Sequence, residues 1–157
     1  MRTHGDCSFP VAVFFLLPKV DIFCSGVPVV TEIVLDRVFY DDSSHRISKI
    51  PKEIGLLTGL TSLQITLNNV VTMPMELGSL TQLTKLDLSN NALTGSIPDY
   101  FADLGLLTSL RLYNNVLTGD VTHLRGLVGL NELMLFGNSE LLEQVSSSIC
   151  SKNPTVL

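Results

Sequence analysis

The chain has 157 residues, of which 45% are hydrophobic and only 16% are charged. This composition excludes a disordered chain, because disordered segments combine low hydrophobicity with high charge, and the length predicts a single domain. The net charge of −5 contains no basic run, so the sequence does not favour nucleic acid as a partner.

The first 26 residues share some features with a secretory leader. Residues 9–17 form an apolar run after Arg2, and residues 24–26 are small enough to form a cleavage site. Asp6 weakens the positive start that a leader normally has. Two interpretations of residues 1–26 therefore stay open: a cleaved signal peptide or a disordered N-terminus. The prolines and charges that follow residue 9 leave no clear transmembrane segment.

Residues 27–46 are predicted to form an atypical N-terminal cap. Within them, residues 29–38 are rich in β-branched and apolar side chains and predict an irregular first strand. Residues 39–45 are predicted to form an enlarged loop. Asp41 and Asp42 in this loop lack calcium-loop spacing and are predicted to be solvated charges.

Leucine dominates the rest of the chain, with 24 of the 28 leucines between Leu56 and Leu142. Leucine triplets recur at steps of 23, 24 and 23 residues. These triplets are Leu57-Leu60-Leu63, Leu80-Leu83-Leu86, Leu104-Leu107-Leu110 and Leu127-Leu130-Leu133. Each ends in an alternating pair such as Leu86 and Leu88, whose period of two predicts a short strand. The fixed period predicts about four stacked repeats in residues 47–142.

An asparagine follows each leucine pair by three residues. The four asparagines are Asn68, Asn91, Asn115 and Asn138. Because an amide side chain has donors and an acceptor, each can bind backbone groups where the chain turns off the strand. We therefore predict an internal ladder of amides.

The segments that return from one strand to the next contain prolines and glycines. Pro51, Pro74 and Pro98 fix φ and remove a donor, which suits a return segment better than a central strand. These residues predict an irregular surface with 3-10 or short helical turns. They also exclude a coiled coil, which would need an unbroken period of 3.5.

The segment from Leu80 to Pro98, LTQLTKLDLSNNALTGSIP, resembles the plant-type leucine-rich repeat, LxxLxxLxLxxNxLxGxIP, at every fixed position. The resemblance covers roughly Ile47 to Leu142, and the repeats fit less well at both ends. It implies an α/β solenoid: a short, curved, right-handed stack with a parallel sheet on its concave face. It also implies a protein-binding module similar to receptor-like protein ectodomains or secreted inhibitors.

The outward strand positions form three columns along the predicted concave face. The first column contains Ser62, Lys85, Ser109 and Glu132; the second contains Gln64, Asp87, Arg111 and Met134; the third contains Thr66, Ser89, Tyr113 and Phe136. Aromatic residues, Met and Arg are enriched in the cores of interfaces. The predicted binding surface comprises Gln64, Lys85, Asp87, Arg111, Tyr113, Glu132, Met134 and Phe136.

Residues 143–157 are predicted to form a C-terminal cap or tail. An open solenoid exposes a hydrophobic end that a cap must cover, so Met134 and Phe136 are alternatively interpreted as cap contacts. The three cysteines, Cys7, Cys24 and Cys150, show no metal or redox spacing.

No catalytic motif, metal site or cofactor site is predicted. The three histidines are far apart in sequence, and there is no phosphate-binding glycine loop or nucleophile elbow. His123 is interpreted as a surface histidine without a role.

Two functional hypotheses follow. The first is a module that binds a protein or peptide ligand through the concave face, with a co-receptor or oligomer partner, secreted or at the cell surface. The alternative is a cytoplasmic scaffold, or a truncated fragment of a longer receptor protein with no independent activity.

Overall fold

The computed structural model describes residues 30–36 and 46–142. Five strands form one parallel sheet in the order β1-β2-β3-β5-β7. These strands are β1 (Glu32–Asp36), β2 (Ser62–Thr66), β3 (Lys85–Asp87), β5 (Ser109–Arg111) and β7 (Glu132–Met134). The prediction of an open parallel solenoid is confirmed.

The strands align because the inward leucines of successive repeats pack on one another. Leu63 lies opposite Leu86, Leu86 opposite Leu110, and Leu110 opposite Leu133. All four are at most 1% exposed. Burial of a leucine side chain contributes roughly 1.5–3 kcal/mol, and no single repeat could provide it alone. The leucine columns are therefore the core of the stack.

The asparagines connect each repeat to the repeat before it. Asn115 Nδ2 donates to Leu88 O (3.1 Å) in the preceding repeat and to Leu112 O (3.0 Å) in its own. Asn115 Oδ1 accepts from the Leu93 amide at 3.0 Å. Corresponding bonds are made by Asn68, Asn91 and Asn138. Each amide thus satisfies backbone groups of two neighbouring turns.

In the described residues, the convex side consists of four 3-10 helices, as predicted for the return segments. They are η1 (Lys52–Leu56), η2 (Met75–Ser79), η3 (Asp99–Asp103) and η4 (Thr122–Gly126). Proline precedes η1, η2 and η3 in an extended conformation. Neighbouring turns approach closely, since a Cβ on Gly55 would lie 2.8 Å from Glu76 Cβ. The Tyr100 hydroxyl bonds back to Pro74 O at 3.0 Å.

A second, two-stranded parallel sheet was not predicted. It contains β4 (Thr94–Ser96) and β6 (Val116–Thr118). These strands lie after the asparagines and include Gly95, whose φ is +77°. A helical turn, α1 (Ser139–Leu142), packs against β6 and buries Leu141.

The residue before each ladder asparagine has a positive φ. The four residues are Leu67 (φ 56°), Asn90 (54°), Asn114 (53°) and Gly137 (72°). Glycine and asparagine tolerate this left-handed conformation, but leucine rarely adopts it. Leu67 is also 43% exposed, so neither its backbone nor its side chain is in a favourable environment.

Candidate functional site

The concave face consists of the outward side chains of the five-stranded sheet. Its first two columns follow the strand register, which pairs Lys85 with Ser109 and Ser109 with Glu132, and pairs Asp87 with Arg111 and Arg111 with Met134. Seven of the eight predicted surface residues lie on the neighbouring strands β3, β5 and β7 or within two residues of their ends. Gln64, on β2, lies opposite Asp87.

Arg111 lies between two carboxylates on the flanking strands. Its Nη2 donates to Glu132 Oε1 at 2.9 Å, and its Nη1 lies 3.7 Å from Asp87 Oδ2. The Ser109 hydroxyl donates to Glu132 Oε2 at 2.6 Å. This arrangement holds the guanidinium in place while its side chain remains 42% exposed.

The charges in this cluster perturb one another. The hydrogen bond from Ser109, followed by that from Arg111, lowers the pKa of Glu132 below its ordinary value. In return, the hydrogen bond to Glu132 raises the pKa of Arg111. Both groups are therefore charged at neutral pH, and the cluster of Asp87, Arg111 and Glu132 carries one excess negative charge.

Tyr113 and Phe136 form an aromatic pair next to this cluster. Their ring centroids are 4.6 Å apart and their planes differ by 12°. Phe136 is 39% exposed, and Met134 is half-buried. An aromatic pair of this kind is worth about 0.5–1.5 kcal/mol beyond the area it buries, so the exposed apolar surface has a defined shape.

Strand alternation predicted that the whole third column would be exposed, but two of its members are buried. Thr66 is 6% exposed and Ser89 is fully buried. The amide and hydroxyl of Ser89 both donate to Asp87 Oδ1, at 3.0 and 2.6 Å. These two hydrogen bonds hold the small side chain of Ser89 against the sheet. The accessible part of the column is therefore Tyr113 and Phe136.

Three further residues line the concave face but lie outside the predicted binding surface. Ser109 holds Glu132 through a hydrogen bond. Its position in the first column, next to Glu132, was the feature of the sequence that could have identified it. Glu32 and Val34 extend the first and second columns onto β1. Aligning Ile33 and Leu35 with the inward pair Leu63 and Ile65 would have placed Glu32 and Val34 in these columns.

His123 was interpreted as a surface histidine, but the structure places it in a partly buried position. Its side chain is 17% exposed, and Nδ1 lies 3.6 Å from Asp99 Oδ1. Its Nε2 is buried without a hydrogen-bond partner among the described residues. No group of three His, Cys, Asp or Glu side chains within residues 30–36 and 46–142 could hold a metal ion.

Several predictions concern residues outside the described ranges: the leader, the loop at 39–45, the tail at 143–157 and all three cysteines. In the part of the chain that the structure describes, no helix is long and apolar enough to span a membrane. A groove of about 680 Å³, lined by residues 46–53 and Pro74, lies away from the predicted surface.

Comparisons with known proteins identify the repeat. The family model for the leucine rich repeat matches residues 58–117 and 81–139, which together span more than half of the chain. No protein in a search of curated sequences matched.

Solved structures match the fold. The leucine-rich repeat ectodomain of the receptor kinase SOBIR1 from Arabidopsis thaliana is 34% identical, with a TM-score of 0.55 over 59% of this chain and 52% of that one. The PEPR1-AtPEP1 structure is 34% identical, with a TM-score of 0.64 over 76% of this chain and 16% of that one. The Arabidopsis receptor kinase HAESA, in complex with the peptide hormone IDA and the co-receptor SERK1, is 27% identical. The HAESA match has a TM-score of 0.53 and covers 57% of this chain and 15% of that one.

The chain thus spans about half of the SOBIR1 ectodomain and a much smaller share of the other two receptors. The family model, the 23 or 24 residue period and the parallel sheet with 3-10 turns all agree. The chain belongs to the leucine-rich repeat family, and its repeats are of the plant type.

Proposed function

We propose that this chain is a protein-interaction module that binds a protein or peptide ligand through the C-terminal half of its concave face. The observation that carries the proposal is the aromatic pair Tyr113 and Phe136 beside the fixed guanidinium of Arg111. Tyrosine and arginine are enriched among the few residues that dominate the binding energy of protein interfaces. The proposed role is binding, without a catalytic step.

Preorganisation supports this role. Arg111 is held by Glu132 and Asp87, and the two rings are held by each other. A ligand would therefore restrict few rotamers on this surface, and ordering each side chain otherwise costs about 0.5–1.5 kcal/mol. The site also offers both apolar area and charge, which a peptide ligand can match along its length.

The similar receptors support the same class of ligand. HAESA is in complex with a peptide hormone and a co-receptor, and PEPR1 was solved with AtPEP1. By analogy, we propose a peptide or protein ligand here, with a co-receptor or oligomer partner. Because a stable interface needs about 800 Å² from each partner, five strands favour modest affinity unless a second protein joins the complex.

The same analogy favours a secreted or cell-surface location over the cytoplasmic alternative. This part of the proposal is tested by determining the mature N-terminus with mass spectrometry. A start near residue 27 supports secretion, whereas an intact Met1 supports the intracellular scaffold.

The binding role is tested by selecting a peptide display library on the immobilised full chain. Each selected peptide is then titrated against wild type and the variants Arg111→Ala and Tyr113→Ala. The expected result is a Kd in the micromolar range for wild type and a loss of about tenfold or more in each variant.

A matched control comes from the opposite face. Met75 is 74% exposed on η2, so Met75→Ala should leave the affinity unchanged. Circular dichroism of each variant checks that the fold is retained. Peptides that bind the folded Arg111 and Tyr113 variants as tightly as wild type would refute the assignment.

A further inference from the structure

The outer edge of β7 presents the same kind of backbone donor that joins the other strands of the sheet. Along the stack, the amide that follows each strand donates to the next strand: Leu88 N–H binds Arg111 O and Leu112 N–H binds Met134 O, both at 2.9 Å. The equivalent amide on the last strand is that of Leu135. By this register it points away from β5, along the outer side of β7. Among the described residues, β7 is the last strand of this sheet.

Among the described residues, Phe136 stacks on another ring through one face only. That face lies against Tyr113 in a nearly parallel stack, with 12° between the ring planes. The second face of the Phe136 ring is therefore directed away from Tyr113. Phe136 is 39% exposed. An aromatic face carries negative charge density, so it attracts a cation placed over it. The stack therefore ends in a surface suited to a further planar, positively charged side chain.

One carboxylate at this edge has the same preference. Lys85 and Asp87 both lie on β3, two strands from the edge, and their opposite charges offset each other. At the edge itself, Glu132 is paired with Arg111 of β5. Glu132 is on the edge strand itself, so a basic side chain entering there would gain a carboxylate partner.

Head-to-tail stacking of a second copy on this edge is disfavoured. Among the described residues, the opposite edge strand of the same sheet is β1, where Glu32 occupies the position equivalent to Glu132 and Asp36 the position equivalent to Phe136. Pairing β1 of one copy with β7 of another in the same register would oppose two carboxylates and place a third over the Phe136 ring. Like charges directly opposite on neighbouring strands are destabilising.

We propose that β7 accepts an extended segment of a protein partner as a sixth parallel strand, with one basic side chain beside Glu132 and an arginine on the outer face of Phe136. Addition of a strand provides main-chain hydrogen bonds for affinity and alternate side chains for specificity. The inference rests on the proposed binding role and specifies the chemistry of the partner.

The test uses two labelled peptides and the full chain. The first probe is fluorescein-labelled Thr-Arg-Leu-Thr-Leu-Arg-Gly-amide, whose arginines align with Glu132 and Phe136; in the second, glutamates replace both arginines. Fluorescence anisotropy should show the arginine peptide binding about tenfold or more tightly than the glutamate peptide. Phe136→Ala should weaken the arginine peptide about tenfold, and Glu132→Gln should weaken it to a smaller extent and reduce its salt dependence.

Met75→Ala again serves as the control and should bind like wild type. Equal binding of the two peptides, no binding of either, or an unchanged affinity in folded Phe136→Ala would overturn the inference. Self-association in sedimentation velocity that Phe136→Ala abolishes would also overturn it, because the occupant would then be a second copy.

These outcomes are distinct from failure of the binding role itself. If library-selected ligands depend on Arg111 and Tyr113 while the two probes fail, only the edge inference is wrong. If the selected ligands are also insensitive to Arg111 and Tyr113, the proposed function is wrong as well.

Discussion

Replacing Asn115 with alanine tests what holds the repeats together. The side-chain amide makes hydrogen bonds with Leu88 O, Leu112 O and the Leu93 N–H at 3.0–3.1 Å, and the residue is 8% exposed. A net contribution of about 1 kcal/mol for each bond gives a loss of about 3 kcal/mol. A domain of this size has a total stability of roughly 5–15 kcal/mol, so the loss should be easily measured.

Urea unfolding followed by far-ultraviolet circular dichroism gives the free energy of unfolding of each variant. Gln82 is exposed and lies on a loop of the preceding repeat, so Gln82→Ala should change stability by less than about 0.5 kcal/mol. A stability of Asn115→Ala within that margin of wild type would show that the ladder does not stabilise the stack.

The variant Asn115→Asp adds a pH signature. A carboxylate at this site would face the carbonyl oxygens of Leu88 and Leu112, which accept from the amide in the wild type. Burial and this repulsion should raise the pKa of the new carboxyl in the folded state. The variant should therefore be most stable below the unfolded pKa and lose stability as pH rises through the folded pKa. A pH-independent difference from wild type would contradict the assigned donors.

Three further predictions concern packing, backbone strain and charge. Gly55→Ala should cost about 1–3 kcal/mol, because the added Cβ would lie 2.8 Å from the Cβ of Glu76; Gly105→Ala, with nothing within 4 Å of its Cβ, is the matched control, and equal melting temperatures would refute the close approach. Leu67→Asn should stabilise the protein by about 0.5–1 kcal/mol in urea unfolding, because asparagine tolerates a φ of 56°, and a destabilised variant would show that the leucine side chain is needed. Since hydrogen bonds lower the pKa of Glu132 from its ordinary value of 4.5, its contribution should be complete above that value and be lost as pH falls through the lowered pKa. The stability difference between wild type and Glu132→Gln should therefore shrink in acid, and a difference that grows would contradict the pairing.

The repeat was predictable because one short-range pattern is used four times. The spacing of Leu86, Leu88 and Asn91 specifies a strand followed by a turn, and repetition at 23 or 24 residues specifies parallel stacking. Pro51, Pro74 and Pro98 indicated the return segments, and in the structure each precedes a 3-10 turn. Each of these features depends on residues close in sequence.

Several individual hydrogen-bond pairings were not predicted. β4 and β6 pair only because Thr94–Ser96 and Val116–Thr118 are brought side by side by the stack. Strand alternation alone placed Ser89 outward, but its bonds to Asp87 bury it. The hydrogen bond from Ser109 to Glu132 likewise needs the register of two strands. The composition of the surface was therefore predictable, whereas its internal pairing was not.

The central claim is that ligand binding uses the C-terminal half of the concave face. It is tested most directly by recording amide chemical shifts of the isotope-labelled full chain during titration with a library-selected peptide. The largest shifts are expected in residues 109–113 and 132–137, which contain the arginine cluster and the aromatic pair. Shifts concentrated instead in the 3-10 turns of the convex side would contradict the claim.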